Sequence, residues 1–200
     1  VNFAIQIMWA RLLCPNDYAV VAMLAIFFSI SQAFIDSGFA TTLIQKQDCT
    51  QADYSSVFYF NVLIGSVVYL LFFFGAPFIE SFYNFEGLAL VTRVYSLNLF
   101  INSFAMVHRV ILTKELKFKK IALITFLSSI ISAIPAIIMA YWGYGYWTLV
   151  GQSLMSAVVT SALIMYQSKW RPSLIFSKNS LAKLAPFGLK MLVVYLFHAI

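Results

Sequence analysis

The sequence predicts an all-α protein, a polytopic bundle of helices that crosses a membrane several times. Hydrophobic residues make up 62% of the 200 residues and charged residues only 10%. The stretch 121–168 has no Asp, Glu, Lys, Arg or His. At about 1.5 Å per helical residue, this stretch is long enough to cross a hydrocarbon layer of about 30 Å twice. A soluble chain of this size could not bury so much apolar surface in one core.

Each apolar run is predicted to be a helix, because a span in lipid must satisfy its own backbone hydrogen bonds. We expect a truncated first helix over 1–13 and a truncated last helix that begins near Leu181 and runs to Ile200. The spans predicted between them are 18–44, 52–76, 88–112, 118–141 and 146–167. The chain begins without Met and stops inside an apolar run, so we expect it to be part of a longer protein.

A tight hairpin is predicted at 141–147 (YWGYGYW), where Gly143 and Gly145 interrupt the helical pattern among aromatic residues. Tyr and Trp favour the headgroup zone, so the turn is placed at a membrane surface. The chain then enters and leaves the hairpin on the same side of the membrane.

The basic residues predict the orientation, because lysine and arginine in short loops stay on the cytoplasmic side. Only Arg11 and Arg93 are expected outside. We therefore assign loops 45–53, 113–118 and 168–181 to the cytoplasm, and this topology explains the net charge of +6 better than nucleic-acid binding does. The basic residues on the cytoplasmic side are Lys46, Arg109, Lys114, Lys117, Lys119, Lys120, Lys169, Arg171, Lys178 and Lys183.

Ionisable residues within the apolar spans are the first candidates for function, because a charge at membrane depth is costly. They are Asp36, Arg109 and Lys190. Asp36 shares a helical face with Gln32 and Ser29, which favours contact with other helices or with water. The alternative is that Asp36 lies at the cytoplasmic interface and is simply hydrated there.

Further polar side chains form stripes on three of the predicted helices. Asn98, Asn102 and Arg109 share one face, which predicts either the wall of a hydrophilic cavity or interhelical hydrogen bonds with Arg109 reaching to lipid phosphates. Small polar residues at helical spacing usually indicate close packing of helices, which is what we expect of the next two spans. Those residues are Thr125, Ser128, Ser129 and Ser132, followed by Gln152, Ser153, Ser156 and Thr160.

The sequence has no pattern typical of catalysis. The motifs GxxxxGK[ST], HExxH and GxSxG are absent. His108 and His198 have no acidic partner at a spacing suited to proton transfer, and Cys14 and Cys49 have no metal-ligand spacing. We therefore predict no enzyme activity, no cofactor, no metal site and no nucleic-acid partner.

Six passages, taken together in order, resemble the Wzx-type polysaccharide and lipopolysaccharide flippases. This family is the polysaccharide transporter branch of the multidrug/oligosaccharidyl-lipid/polysaccharide exporter superfamily, and the resemblance covers almost the whole chain. The passages are 10–15 (ARLLCP) with Asp17 and Tyr18, 36–45 (DSGFATTLIQ), 112–120 (LTKELKFKK), 143–149 (GYGYWTL), 168–172 (SKWRP) and 187–188 (FG).

The resemblance implies a transporter of two six-helix lobes in the bacterial inner membrane, with a central cavity. Residues 1–180 would be most of the N-terminal lobe and 181–200 the start of the second. Family members flip undecaprenyl-diphosphate-linked oligosaccharide to the outer leaflet by alternating access, for lipopolysaccharide or exopolysaccharide synthesis. The implied partners are this lipid-linked oligosaccharide and membrane lipids, and the polysaccharide polymerase machinery is a further candidate.

Such cargo requires cations for the diphosphate and hydrogen-bonding groups for the sugars. The candidates are Arg109 and Lys190 for the first role, and Asn98, Asn102, Gln32 and Gln152 for the second, while Asp36 is the candidate for ion coupling.

Two other functions remain open on the sequence alone. The first is a drug or metabolite cation antiporter of the same superfamily, although its cavity should be richer in acidic groups than these spans are. The second is a non-transporting membrane scaffold of a polysaccharide assembly complex, which would not need polar stripes on several helices. A membrane-bound glycosyltransferase or polymerase is disfavoured by the lack of catalytic carboxylates and large loops.

Overall fold

A computed structural model of the chain describes residues 13–36, 39–46, 48–173 and 175. Four of the helices in this part, over 51–83, 88–114, 118–141 and 146–168, are long and apolar enough to cross a membrane, which confirms the predicted all-α membrane bundle. The predicted helix over 181–200 lies outside the described residues, as does the one over 1–13 apart from Leu13. The described helices are α1 (Pro15–Asp36), α2 (Phe39–Gln45), α3 (Gln51–Tyr83), α4 (Leu88–Lys114), α5 (Phe118–Tyr141) and α6 (Tyr146–Ser168).

The predicted helix boundaries are confirmed for α5 and are within two residues for α4 and α6. The span predicted over 18–44 corresponds to α1 and α2, which lie on either side of residues 37 and 38, themselves outside the described part. The predicted end of the next span at Ala76 was wrong, because α3 continues through Pro77 to Tyr83. Proline is tolerated inside membrane helices, where neighbouring groups compensate for the backbone hydrogen bond that it removes.

The start of α3 is fixed by a capping box at Thr50 and Asp53. The Thr50 side chain accepts a hydrogen bond from the Asp53 backbone N–H, and the Asp53 carboxylate accepts one from the Thr50 backbone N–H. Asp53 is buried and also pairs with Lys46, at 2.5 Å between Nζ and Oδ2. Because these contacts satisfy backbone donors that a helix start leaves unpaired, the entry to the longest helix is well defined.

The bundle is organised around α4, which packs along α3 on one side and along α6 on another. The helix α5 packs mainly on α6, and α1 contacts α3, α4 and α6. The outer surface is apolar: on α3, for example, Leu71, Phe74 and Phe78 are 68%, 75% and 83% exposed. This surface is suited to contact with lipid chains rather than with water.

Neighbouring loops meet at each of the two ends of the bundle. At one end the Lys114 ammonium donates to the Lys46 backbone oxygen at 2.5 Å, and Trp170 Nε1 donates to Gln51 Oε1 at 2.6 Å. The basic loops around these residues are therefore neighbours. At the other end the hairpin turn between α5 and α6 has positive φ at Gly143 and Gly145, of 77° and 53°.

Gly145 is required by its surroundings as well as by its conformation. A Cβ atom at this position would lie 2.7 Å from Asp17 Oδ1. The same carboxylate, through Oδ2, accepts a hydrogen bond from the Cys14 backbone N–H. The turn of the hairpin is thus packed directly against the start of α1.

Candidate functional site: a polar cavity between four helices

A cavity of about 570 Å³ lies between α1, α4, α5 and α6. Such a volume is typical of small-ligand sites. Its wall is mostly hydroxyl and amide side chains, with one guanidinium and a few apolar groups. The helix α1 contributes Phe28 and Gln32, while α4 contributes Tyr95, Asn98, Leu99, Asn102 and Arg109.

The α4 wall contains all three members of the polar stripe predicted on this helix. Asn102 and Arg109 are two helical turns apart, which is about 10 Å along the helix axis. Asn98 Nδ2 donates to the Tyr95 backbone oxygen at 2.9 Å, within its own helix. Asn98 Oδ1 is buried and has no hydrogen-bond partner within the described part of the chain. One acceptor in the cavity wall is therefore unsatisfied by the described residues.

Arg109 is the single charged residue that the described residues contribute to this wall. It is exposed, and its guanidinium forms no ion pair or hydrogen bond with another described residue. It lies five residues before the end of α4 at Lys114, close to the end of the bundle where the basic loops meet. A positive charge in that position suits an anionic group at the level of the lipid headgroups.

The small polar residues of α5 and α6 line the same cavity. The expectation of close helix packing agrees with the packing of α5 on α6 and with the burial of Ser128 and Ser132, and all of these residues except Ser128 also line the cavity. Their hydroxyls can reach their own helix, as when Ser129 Oγ donates to the Thr125 backbone oxygen at 2.9 Å. Because such a hydroxyl gives its hydrogen to the backbone, its oxygen remains an acceptor toward the cavity. The seven lining residues are Thr125, Ser129, Ser132, Gln152, Ser153, Ser156 and Thr160.

Five of the seven candidate residues named from the sequence therefore meet in one cavity wall: Gln32, Asn98, Asn102, Arg109 and Gln152. The roles proposed for them in binding are not tested by this geometry. Lys190 and the side chain of Asp36 lie outside the described part of the chain. Ser29, which was grouped with Gln32 and Asp36, is exposed and donates to the Ile26 backbone oxygen at 2.9 Å.

A second cavity of about 430 Å³ adjoins the first between α1, α2 and α4. Gln32, Asn102 and Arg109 line both cavities. The rest of the second wall is apolar except for Thr113, and it consists of Ala40, Ile44, Ala105, Met106 and Val110.

Asn61 and His108 are buried polar residues that connect helices, a role that the sequence did not predict. Asn61 Nδ2 of α3 donates to the Ser103 backbone oxygen of α4 at 3.1 Å. His108 Nδ1 lies 2.6 Å from Ser168 Oγ, and its ring contacts Trp170 edge to face at a centroid distance of 5.1 Å. Both join neighbouring helices rather than the cavity. No spacing in the sequence distinguishes them from cavity residues.

An apolar exterior together with a polar cavity between helices is typical of membrane transport proteins. Comparison with protein families shows to which group of these proteins the chain belongs. The family of polysaccharide biosynthesis proteins matches residues 8–200. The chain belongs to this family. It is the Wzx-type polysaccharide transporter family, which the six sequence passages resemble.

Three curated relatives are similar over most of the chain. The teichuronic acid biosynthesis protein TuaB of Bacillus subtilis is 23% identical over 79% of this chain and 33% of its own length. The succinoglycan biosynthesis transport protein ExoT of Rhizobium meliloti is 26% identical, over 92% of this chain and 37% of its own length. The lipopolysaccharide biosynthesis protein WzxC of Escherichia coli is 24% identical, over 90% of this chain and 37% of its own length. The chain thus spans about a third of the length of these relatives. No solved structure matches it.

Proposed function

We propose that the chain is part of a transporter that flips an isoprenoid-diphosphate-linked oligosaccharide from the inner to the outer leaflet of the bacterial inner membrane. The observation that carries this proposal is the composition of the larger cavity. Its wall combines one guanidinium, which no described residue pairs with, and many uncharged hydrogen-bonding groups. Binding of a diphosphate requires a cation such as the guanidinium, and binding of sugars requires uncharged hydrogen-bonding groups. The names of two relatives, which refer to succinoglycan and lipopolysaccharide biosynthesis, support the same class of cargo.

In this proposal Arg109 binds the diphosphate, while Asn98, Asn102, Gln32 and Gln152 bind the glycan. Lys190 is a further candidate for the diphosphate and Asp36 for ion coupling. The chain contributes most of the N-terminal lobe, through residue 180, and the start of a second lobe. Loops 45–53, 113–118 and 168–181 face the cytoplasm, so that Arg109 is near the leaflet where the lipid-linked oligosaccharide is made. The polymerase machinery is a candidate partner on the opposite side. The protein acts as a transporter and not as an enzyme.

The alternative of a cation antiporter is disfavoured by the same cavity. Within the described part of the chain, no carboxylate lines either cavity. A site for an organic cation should be lined by acidic groups rather than by a guanidinium.

The test is deletion of the parent gene in its native host, followed by extraction of membrane lipids. We expect undecaprenyl-diphosphate-linked oligosaccharide to accumulate and surface polysaccharide to disappear, and the full-length wild-type protein to restore both. Arg109→Ala should reduce surface polysaccharide by at least about tenfold, because a charge-assisted contact to the diphosphate is worth more than 1.4 kcal/mol.

Arg93→Ala is the matched control, because Arg93 is on the same helix but lines neither cavity. Arg93 instead donates to the Phe73 backbone oxygen at 3.1 Å and stacks over the Phe73 ring. The Arg93→Ala variant should therefore retain transport when it is compared at equal protein level. Unchanged lipid and surface glycan in the deletion strain, together with new sensitivity to cationic drugs, would contradict the flippase function and favour the antiporter.

A further inference from the structure

The second cavity differs in chemistry from the first although the two share part of their walls. Along α4, the residues that line the larger cavity run from Tyr95 to Arg109, and those that line the smaller one run from Asn102 to Thr113. The smaller cavity is therefore displaced toward the end of the bundle where the basic loops meet. We call it the α2–α4 groove. Beyond the shared residues, its wall is almost entirely aliphatic.

Ile44 in the groove is partly exposed, whereas the aliphatic residues on the α4 side are buried. Ile44, on the α2 side of the groove wall, is 41% exposed, whereas Ala105 on the α4 side is 2% exposed. The aliphatic wall of the groove thus extends from a partly exposed residue of α2 to Arg109 of α4. Arg109 belongs to the wall that the groove shares with the polar cavity, and no described residue pairs with its guanidinium.

We propose that the α2–α4 groove receives the first isoprene units of the lipid carrier while Arg109 binds the diphosphate and the glycan occupies the larger cavity. This inference rests on the proposed function and assigns a separate place to each of the three chemical parts of the substrate. The parts occur in the same order along the lipid-linked oligosaccharide as the sites do along the two cavities: aliphatic chain, diphosphate, sugars.

Hydrophobicity alone does not hold the chain in the groove, because lipid tails are as apolar as the groove is. The isoprene units are held there because they are tethered to a diphosphate bound at Arg109, which raises their effective concentration in the adjoining α2–α4 groove. Two consequences follow. Occupancy should depend on Arg109, and an ordinary phospholipid should not be enriched in the groove.

The experiment uses the full-length protein in lipid bilayers, with a photoreactive phenylalanine derivative introduced at Ile44. Ile131 is the matched position, because it is the same residue type, is 42% exposed and lines neither cavity. The probes are radiolabelled undecaprenyl diphosphate and radiolabelled phosphatidylglycerol. We expect undecaprenyl diphosphate to be captured roughly tenfold better at position 44 than at position 131, as tethering predicts. Phosphatidylglycerol should be captured equally at both. Arg109→Ala should remove the preference.

Equal capture of both lipids at the two positions would overturn the groove assignment. A cross-link from position 44 to the protein itself, without label, would place another segment of the chain in the groove and would also overturn it. Neither result affects the proposed function, which is measured separately by the accumulation of lipid-linked oligosaccharide in the deletion strain. Conversely, absence of that accumulation would remove the flippase function whatever the cross-linking shows.

Discussion

The helix α4 presents polar residues to two different surroundings. Toward α3, Ser103 is fully buried, its backbone oxygen accepts a hydrogen bond from Asn61, and Gly65 lies against its side chain. Toward α1, α5 and α6, Asn98 lines a cavity and its side chain donates only to its own helix. We call these the closed face and the open face of α4.

The difference teaches that residue type does not decide what a polar group does inside a membrane bundle. On the closed face a glycine lets two backbones approach, so that an amide can bridge the helices. On the open face the polar groups line a cavity, where they are available to a ligand. Closed-face residues should therefore govern stability, and open-face residues should govern transport.

The largest effect on stability is expected from Gly65→Leu on the closed face. A Cβ atom at Gly65 would lie 2.7 Å from both Cβ and Oγ of Ser103. Forcing a side chain into a packed contact costs about 1–3 kcal/mol, so the variant should unfold at lower temperature in detergent. Gly75→Leu is the control on the same helix, because nothing lies within 4 Å of a Cβ there. Equal unfolding temperatures for both variants would show that α3 and α4 do not pack as described.

A smaller effect, and a direct comparison of the two faces, is expected from two identical substitutions of asparagine. Asn61→Leu removes the hydrogen bond to Ser103 and should destabilise the protein by about 0.6 kcal/mol, the average for such bonds between membrane helices. Asn98→Leu should leave the unfolding temperature unchanged. It should lower transport by about threefold to tenfold, because a hydrogen bond to the cargo contributes about 0.5–1.5 kcal/mol. The measurements are thermal unfolding and surface polysaccharide at matched protein level, and the reverse assignment of effects would contradict the comparison.

Helix positions were predictable from the sequence because they depend on local chemistry. The uncharged run and its Gly143 and Gly145 were sufficient to place α5 and the hairpin turn. The end of α3 was not predictable, because whether Pro77 stops a helix depends on neighbouring groups rather than on the proline. Its actual end at Tyr83, followed by Asn84 in the left-handed conformation with φ of 49°, has no strong signal in the sequence.

The candidate site was predictable only one helix at a time. The stripe of Asn98, Asn102 and Arg109 was visible from helical periodicity, and it does line a cavity. Periodicity cannot show whether such a stripe meets another helix or a space between helices, since both give the same spacing. For that reason the sequence did not show that most of the small polar residues of α5 and α6 also line a cavity, nor that Asn61 forms a bridge between helices.

The smallest effect is expected from a pair of serines on α6 that differ only in what they face. Ser156 lines the larger cavity, whereas Ser161 is 5% exposed and donates to the Ile101 backbone oxygen of α4 at 3.4 Å. Ser156→Ala removes one hydroxyl from a wall that has many, so transport should fall by only about twofold, at the low end for one hydrogen bond. Ser161→Ala should leave transport unchanged and lower stability slightly, since 3.4 Å is a long hydrogen bond. Transport assayed at matched protein level distinguishes the two variants. If Ser161→Ala impaired transport as much as Ser156→Ala, the hydroxyls of α6 would act through helix packing and not through the cavity.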